Sequence, residues 1–377
     1  PGALDFDWRR SHILTCRKAR IFRAPVEMAA RPEFERDKGW SPSKKAREGT
    51  TPASLRHQLS QRAGGVIAAI DQLRDLAALA DLKLDFPKIV AIGPENCGKS
   101  SVLERLAHWS LFPRADGICT RMPIELRLIH QSPAELKAFC EANKLPYFAD
   151  EGYCRMTYEK PGVSKPLKES KYMAFSKMKD LVKHYHDKFV KDMNGSLTGI
   201  ISDLLVLEIK SSMVVNLRLI DLPGIIQASR EGEPADICDQ TTRLTGHFLQ
   251  QPHTLVLGVV SATEGFRTST AMGLVQKFKK QADTIGVLTK ADRATDSRPE
   301  AKTNPYRELK AKLDGTSGDM ISLPMGVVAT RNHDSYFDEG ITLDQVTARE
   351  EEWFESNLPG YLSDGKAGIN ALADKLV

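Results

Sequence analysis

Short apolar runs separated by amphipathic stretches recur along most of this chain. The runs are four to seven residues long and are bounded by Gly, Pro or polar turn residues, as buried or half-buried strands are. They cover residues 89–92, 124–129, 204–209, 216–220, 254–260, 284–288 and 325–328. The run at 124–129 alternates apolar and polar residues, which predicts a strand with only one buried face.

Apolar residues at spacings of three and four predict helices between these runs. The predicted helices cover residues 101–107, 134–144, 177–193, 271–280, 349–357 and 367–376. A longer apolar stripe over 53–80 follows Thr51 and Pro52, a pair typical of a helix N-cap and first helical position. Strands that alternate with helices predict an α/β fold, with a mostly parallel central sheet and helices on both faces.

The remaining segments lack this periodicity. Residues 131–195 are polar and helical in places, and we see no group of chemically active side chains there. Residues 1–52 contain two basic groups, at 17–20 and 44–47, and we expect a disordered segment rather than a membrane- or partner-binding arm. We expect residues 53–377 to form the folded part of the chain.

Composition excludes some classes of function. A net charge of +4 over 377 residues does not indicate a nucleic-acid partner. No run of eighteen apolar residues occurs, so the sequence predicts no membrane-spanning helix. The six cysteines show no Cys-x-x-Cys spacing, and we expect reduced thiols.

A glycine-containing loop connects the first predicted strand to the next helix. Gly93, Gly98, Lys99 and Ser100 fit the phosphate-loop pattern G-x-x-x-x-G-K-[ST]. The glycines let backbone N–H groups point at one anion, and the helix adds its positive N-terminal end. Because the lysine can reach the β- and γ-phosphates and the serine hydroxyl can bind Mg²⁺, the loop predicts a nucleoside triphosphate site.

Two further polar motifs follow predicted strands, at the sheet edge where α/β proteins bind ligands. Asp221 can hold Mg²⁺ through a water, and Gly224 can bring its N–H to a γ-phosphate. Thr289, Lys290 and Asp292 form a Thr-Lys-x-Asp motif, whose carboxylate can accept both the N1–H and the 2-amino hydrogens of guanine. Adenine lacks this pair of donors, so the motif predicts GTP and argues against an unrelated P-loop ATPase or kinase.

Together these motifs resemble the GTPase domain of the dynamin family. The resemblance rests on residues 98–104, 112–123, 207–209, 219–225, 284–292 and 326–328. It covers roughly residues 53–377 and implies a P-loop GTPase fold, in which helices near 53–80 and 367–377 belong to a small bundle. It also implies Mg²⁺-dependent hydrolysis of GTP to GDP and phosphate, coupled to self-assembly and membrane remodelling, with the assembly stalk beyond Val377.

The resemblance assigns roles to individual residues. It implies nucleotide contacts from Gly93, Pro94, Glu95, Asn96, Cys97, Gly98, Lys99, Ser100, Ser101, Asp221, Gly224, Thr289, Lys290, Asp292, Arg331 and Asn332. It implies catalytic roles for Glu95, Asn96, Lys99 and Thr120, and a Mg²⁺ site of Ser100, Thr120 and Asp221. The match at Arg331 and Asn332 is loose.

Three positions depart from the family pattern, and one of them is Ala115, where the family usually has Gly. Glu95 and Asn96 stand where the family has a Gln that positions the attacking water and a Ser that helps to hold a monovalent cation, K⁺ or Na⁺. Since a carboxylate adds negative charge near the γ-phosphate, we expect Glu95 to swing away and Glu95→Gln to raise turnover about tenfold. The other interpretation makes Glu95 a working base. A GTP-binding scaffold or switch protein with weak hydrolysis therefore stays an alternative function.

The resemblance also implies partners and a location. We expect a nucleotide-dependent dimer across the GTPase face, and contact with membrane lipids or microtubules through regions outside this chain. The expected location is the cytoplasm, peripheral to membranes. Cys97 has two interpretations: a thiol activated by Lys99 and the helix N-terminus, or an inert side chain packed under the loop.

Overall fold

The structure of the protein is a computed structural model. It describes residues 88–107, 112, 120–148, 152–160, 166, 168–175, 182, 184–188, 190–191, 199–212, 214, 216–294, 304–332 and 341–376. The segment predicted at 1–52 and the helix predicted at 53–80 lie outside the described residues, as does part of the helix predicted over 177–193.

A mixed sheet of ten strands forms the centre of the described part of the chain. The strands are β1 (Lys88–Ile92), β2 (Ile124–His130), β3 (Tyr153–Glu159), β4 (Lys168–Glu169), β5 (Met173–Ala174), β6 (Leu204–Ser211), β7 (Leu217–Asp221), β8 (Thr254–Ser261), β9 (Thr284–Thr289) and β10 (Val327–Ala329). Their order is β10-β9-β8-β1-β7-β2-β6-β3-β4, with β5 beside β3. The strands from β10 to β7 run parallel, whereas β2 is antiparallel to β7, and β3 is antiparallel to β6. The predicted α/β class is confirmed, and the parallel part of the sheet surrounds β1.

Helices cover the sheet. They are α1 (Lys99–Ala107), α2 (Pro133–Ala142), α3 (Ile237–Leu249), α4 (Thr270–Lys277), α5 (Pro305–Leu313), α6 (Leu343–Asn357) and α7 (Ile369–Lys375), with 3₁₀ turns at Gln281–Asp283 and Ala291–Ala294. Helix α6 begins before the predicted residue 349, because Thr342 and Gln345 form a reciprocal capping box that starts the helix there. Within the part of the chain that the structure describes, every helix is too short or too polar to span a bilayer.

Two apolar cores lie on opposite faces of the sheet. Along β1, Ile89 and Ala91 belong to one core, together with the buried sides of α1 and α7. Val90 and Ile92 belong to the other core, with α3 and α4. Successive side chains of a strand point to opposite faces, so this uninterrupted apolar run is buried on both sides.

The antiparallel strands on the far side of β6 were not predicted from the sequence. Strand β3 pairs with β6 in the register Cys154 to Ile209, and its burial does not alternate along Tyr153–Glu159. Because a polar residue such as Thr157 is buried among the apolar ones, the strand lacks the period of two that a sequence pattern would reveal.

The register of the parallel strands brings three loops to one edge. Ala91 of β1 pairs with Asp221 of β7, and Ser261 of β8 pairs with Thr289 of β9. The residues after β1, β7 and β9 therefore emerge side by side at the carboxyl ends of the strands, where ligands of such sheets bind.

Candidate active site

The phosphate loop between β1 and α1 is tightly packed. A Cβ atom at Gly93 would lie 2.3 Å from the carbonyl oxygen of Val259, and Gly98 has φ +98°, so both positions need glycine. Lys99 is buried, and its Nζ donates to the carbonyl oxygen of Pro94 over 2.8 Å. The lysine ammonium therefore lies inside the loop, where phosphate oxygens can replace the carbonyl as its acceptor.

The three residues predicted to hold magnesium, Ser100, Thr120 and Asp221, are in direct contact. The hydroxyls of Ser100 and Thr120 both donate to Oδ2 of Asp221, over 2.7 and 3.0 Å. Its other oxygen, Oδ1, is buried and has no hydrogen-bond partner. Burial raises the pKa of the Asp221 carboxyl, while Lys99 and the two hydroxyl donors lower it.

The segment that follows Asp221 runs alongside the phosphate loop. The N–H of Ile225 donates to the carbonyl oxygen of Gly93 over 3.0 Å. A Cβ atom at Gly224 would lie 2.7 Å from Cα of Glu95, so only glycine permits this approach. Glu95 and the predicted γ-phosphate sensor, Gly224, are therefore direct neighbours.

The guanine-selecting motif is bonded to the phosphate loop. Oγ1 of Thr289 donates to the carbonyl oxygen of Cys97 over 2.5 Å. Nζ of Lys290 donates to the carbonyl oxygen of Asn96 over 2.7 Å, and both residues have φ +57°. Asp292 lies in the 3₁₀ turn directly after β9. These bonds hold the motif predicted to recognise the base beside the loop predicted to bind phosphate.

Comparison of the sequence with known proteins identifies the family of this chain. The sequence model of the dynamin family matches residues 89–291. The chain is 30% identical over 331 residues to an interferon-induced GTP-binding protein Mx from Perca fluviatilis, covering 86% of this chain and 97% of that protein. The chain belongs to the dynamin family of large GTPases. The Mx protein of Dicentrarchus labrax is 30% identical and the Mx1 protein of Equus caballus 31% identical, and the chain spans 44% of the length of each.

In this dynamin-family GTPase, Glu95 is held by an ion pair. Oε2 of Glu95 lies 2.9 Å from Nη2 of Arg230, which belongs to the loop after Gly224. The other carboxylate oxygen, Oε1, is buried and has no hydrogen-bond partner. The expectation that Glu95 swings away assumed an uncompensated charge, and Arg230 supplies that compensation. The side chain of Asn96 is exposed.

Arg331 and Asn332 lie after β10, where side chains of α1 and α6 form hydrogen bonds with them. Nη1 of Arg105 donates to the carbonyl oxygen of Arg331 and to Oδ1 of Asn332, each over 3.1 Å. The N–H of Arg331 donates to Oε1 of Glu350 over 2.7 Å, and its guanidinium lies over the ring of Trp353. Contacts of Arg331 and Asn332 with a base stay a prediction. Arg105 and Glu350, which fix this segment, were missed by the sequence analysis.

The segment 177–193, in which no active side chain was expected, supplies His186. The N–H of Arg121 donates to Nε2 of His186 over 3.1 Å, and Nδ1 lies 3.0 Å from Oδ1 of Asp187. Burial lowers the pKa of His186, which favours the neutral ring that this bond requires. Since Arg121 follows Thr120, the histidine fixes the backbone next to a residue predicted to bind Mg²⁺. A lone histidine 65 residues away carried no sequence signal for this contact.

The remaining predicted residues of the loop are also placed. Ser101 lies half-buried in the first turn of α1. Cys97 is buried in the core under the loop, and burial raises its pKa even though Lys99 lowers it. The interpretation of Cys97 as an activated thiol is therefore wrong, because a buried thiol with a raised pKa forms little thiolate.

Proposed function

We propose that this chain binds GTP together with Mg²⁺ and hydrolyses the GTP to GDP and phosphate. The observation that carries the proposal is the bond of 2.5 Å between Oγ1 of Thr289 and the carbonyl oxygen of Cys97. This bond holds the guanine-selecting motif against the phosphate loop, so a single nucleotide can reach both. The hydrogen bonds of Lys99 and Lys290 and the ion pair of Glu95 hold the other predicted residues around the loop.

The chain's own residues would bind and orient the triphosphate. Lys99 would exchange the carbonyl oxygen of Pro94 for phosphate oxygens, which form stronger, charge-assisted hydrogen bonds. The N–H groups of the loop and the N-terminal end of α1 would surround the same phosphates. The backbone of Gly224, unobstructed by a side chain, would approach the γ-phosphate.

The residues around Asp221 fit a magnesium ion. Mg²⁺ takes oxygen ligands and uses few protein groups, keeping waters and phosphate oxygens as its other ligands. Ser100 and Thr120 offer hydroxyl oxygens, and Oδ1 of Asp221 is a buried acceptor without a partner. Bound there, Mg²⁺ would neutralise charge on the β- and γ-phosphates.

The proposal includes the wider behaviour of the family. We propose that the chain self-associates across its GTPase face when nucleotide is bound, with a cytoplasmic location at the periphery of membranes. Contact with membrane lipids or microtubules, and any membrane remodelling, would involve regions outside this chain. A monovalent cation, K⁺ or Na⁺, would complete the site near Asn96. Membership of the dynamin family supports the self-association.

A GTP-binding scaffold with weak hydrolysis is the second candidate function. It is favoured by Asn96, whose carbonyl oxygen already accepts from Lys290 and which is exposed. On this view the nucleotide state would switch partners, and turnover would be incidental.

One set of measurements separates these proposals. Purified protein is titrated with GTP and ATP, and phosphate release is followed with Mg²⁺ and with EDTA, in potassium and in sodium. The proposed function predicts selective GTP binding and Mg²⁺-dependent release, with Lys99→Ala losing both. Selective binding without release supports the scaffold, and equal affinity for ATP and GTP contradicts both candidates.

A further inference from the structure

Charged side chains from three segments meet beside the phosphate loop. Arg230, in the loop after Gly224, pairs through Nη2 with Oε2 of Glu95 at 2.9 Å. The N–H of Arg230 donates to Oε2 of Glu233 over 3.0 Å, and Oε1 of Glu233 lies 3.8 Å from Nη2 of Arg121. Because Arg121 follows Thr120, this network joins the phosphate loop to the segment that carries Thr120 and to the segment that follows Gly224.

The two oxygens of Glu95 are in different situations. Oε2 is paired with Arg230, whereas Oε1 is buried without any donor. A buried carboxylate oxygen without a hydrogen bond is costly, so its place in the structure calls for a donor such as the O–H of a water. Gly224, which is predicted to contact the γ-phosphate, lies against the backbone of Glu95, so the same end of the site is expected for this side chain.

The ion pair presents the same chemical groups as a glutamine. A Gln side chain offers one carbonyl acceptor and an N–H donor group. Glu95 alone offers two acceptors and a negative charge. Paired with the exposed Arg230, it keeps one open acceptor and gains neighbouring N–H donors, and the pair as a whole carries no net charge. The charge that would oppose phosphoryl transfer is thereby compensated.

We infer that Arg230 is a positioning residue for GTP hydrolysis, which holds Glu95 so that Oε1 accepts a hydrogen bond from the attacking water. This inference rests on the proposed function. The water oxygen bonds to Pγ while the bond from Pγ to the bridging oxygen breaks, and that electron pair remains on GDP. Both hydrogens of the water leave on the phosphate as H₂PO₄⁻, so Glu95 orients the water and retains no proton.

The test is single-turnover hydrolysis at saturating GTP and Mg²⁺, with affinity for a non-hydrolysable GTP analogue measured in parallel. Arg230→Ala is expected to slow hydrolysis about tenfold, or about 1.4 kcal/mol, with less than a twofold change in analogue affinity. Arg230→Lys is expected to keep part of the rate. Arg243→Ala is the matched control. Arg243 lies on α3 and forms an exposed ion pair with Asp236, the N-cap residue of that helix. The control should behave as the parent does.

A variant of Glu95 shows whether Arg230 acts through this glutamate. Glu95→Gln supplies the acceptor and donor by itself, so the double variant with Arg230→Ala is expected to hydrolyse GTP at the rate of Glu95→Gln alone. A rate for Arg230→Ala equal to that of the parent overturns the inference alone. So does an equal slowing by Arg230→Ala in both backgrounds. A parent protein that binds GTP without hydrolysing it overturns both this inference and the proposed hydrolysis.

Discussion

Arg105 on α1 and Glu350 on α6 form an ion pair that is almost completely removed from water. Nη2 of Arg105 lies 2.5 Å from Oε2 of Glu350, and the two side chains are 1% and 0% exposed. The same carboxylate accepts the N–H groups of Arg331 and Ile369. Both oxygens of Glu350 and both terminal nitrogens of Arg105 have partners, whereas Nε of Arg105 is buried without one.

Removing one partner of this pair should destabilise the fold. Glu350→Ala leaves the Arg105 guanidinium buried without its counter-charge, and such losses cost about 3–5 kcal/mol. Urea unfolding of parent and variant measures the effect. Glu352→Ala, at an exposed position of the same helix, is the control and should leave the free energy of unfolding close to that of the parent. Equal stability of Glu350→Ala and the control would show that the pair is dispensable.

Nucleotide choice should depend on Asp292. Asp292→Asn exchanges an acceptor for a mixed amide and loses the paired hydrogen bonds to guanine. The loss of a charge-assisted pair should weaken GTP binding by about 2–3 kcal/mol, or about a hundredfold, and favour xanthosine triphosphate. Fluorescent GTP and xanthosine triphosphate titrations measure both. Asp283→Asn makes the same exchange at the other end of β9 and should change neither affinity. Unchanged GTP affinity in Asp292→Asn would refute the assignment.

Asp221 should lower the stability of the nucleotide-free protein while being needed for magnesium binding. Its pKa is raised in the folded state, so its contribution to stability is present at low pH and is lost as the pH rises through the folded-state pKa. Asp221→Asn should therefore stabilise the nucleotide-free protein at pH 7.5 in EDTA, as thermal unfolding would detect. It should also slow Mg²⁺-dependent hydrolysis at least a hundredfold. A less stable Asp221→Asn protein would contradict this expectation.

His186 should make the protein sensitive to mild acid. Asp187 and Arg121 face its ring, and burial lowers its pKa below the ordinary 6.5. The unfolded chain therefore binds a proton first, and stability falls as the pH drops from 6.5 towards the folded-state pKa. Protonation would also turn Nε2 from an acceptor into a donor, against the N–H of Arg121. Urea unfolding between pH 7.5 and 5.5 should show a slope that His186→Gln reduces. His247→Gln, at an exposed position on α3, should leave the slope intact.

Assembly should follow the nucleotide. We expect a monomer without nucleotide and a dimer only with a mimic of the GTP transition state, since the proposed contact lies across the GTPase face. Light scattering of the purified protein in both conditions measures the mass. A stable higher oligomer in the absence of nucleotide would contradict this expectation.

The elements of the parallel sheet could be predicted because local patterns determine them. The run at 89–92 and the glycines that follow encode a strand and a loop within fifteen residues, and β1 and the phosphate loop lie where the sequence puts them. Strand β3 could not be predicted, since its side chains are buried without alternation by neighbours from β6 and β5.

The side chains that hold the site in shape could not be predicted from motifs. Arg230 pairs with Glu95 from 135 residues away, and Arg105 pairs with Glu350 from 245 residues away. Motif spacing identifies groups that touch a common ligand, because the ligand fixes their chemistry. It does not reveal which distant charge balances another, since many arrangements of surface and buried charges satisfy the same composition.

The carboxylate of Glu350 also has a mechanical consequence. Oε2 accepts the N–H of Ile369, at the start of α7, and Oε1 accepts the N–H of Arg331, after β10. A force that pulls on α7 is therefore borne by the same side chain that fixes the segment expected to touch the base. A displacement of α7 is therefore expected to shift the segment after β10 with it, because both are bonded to one carboxylate.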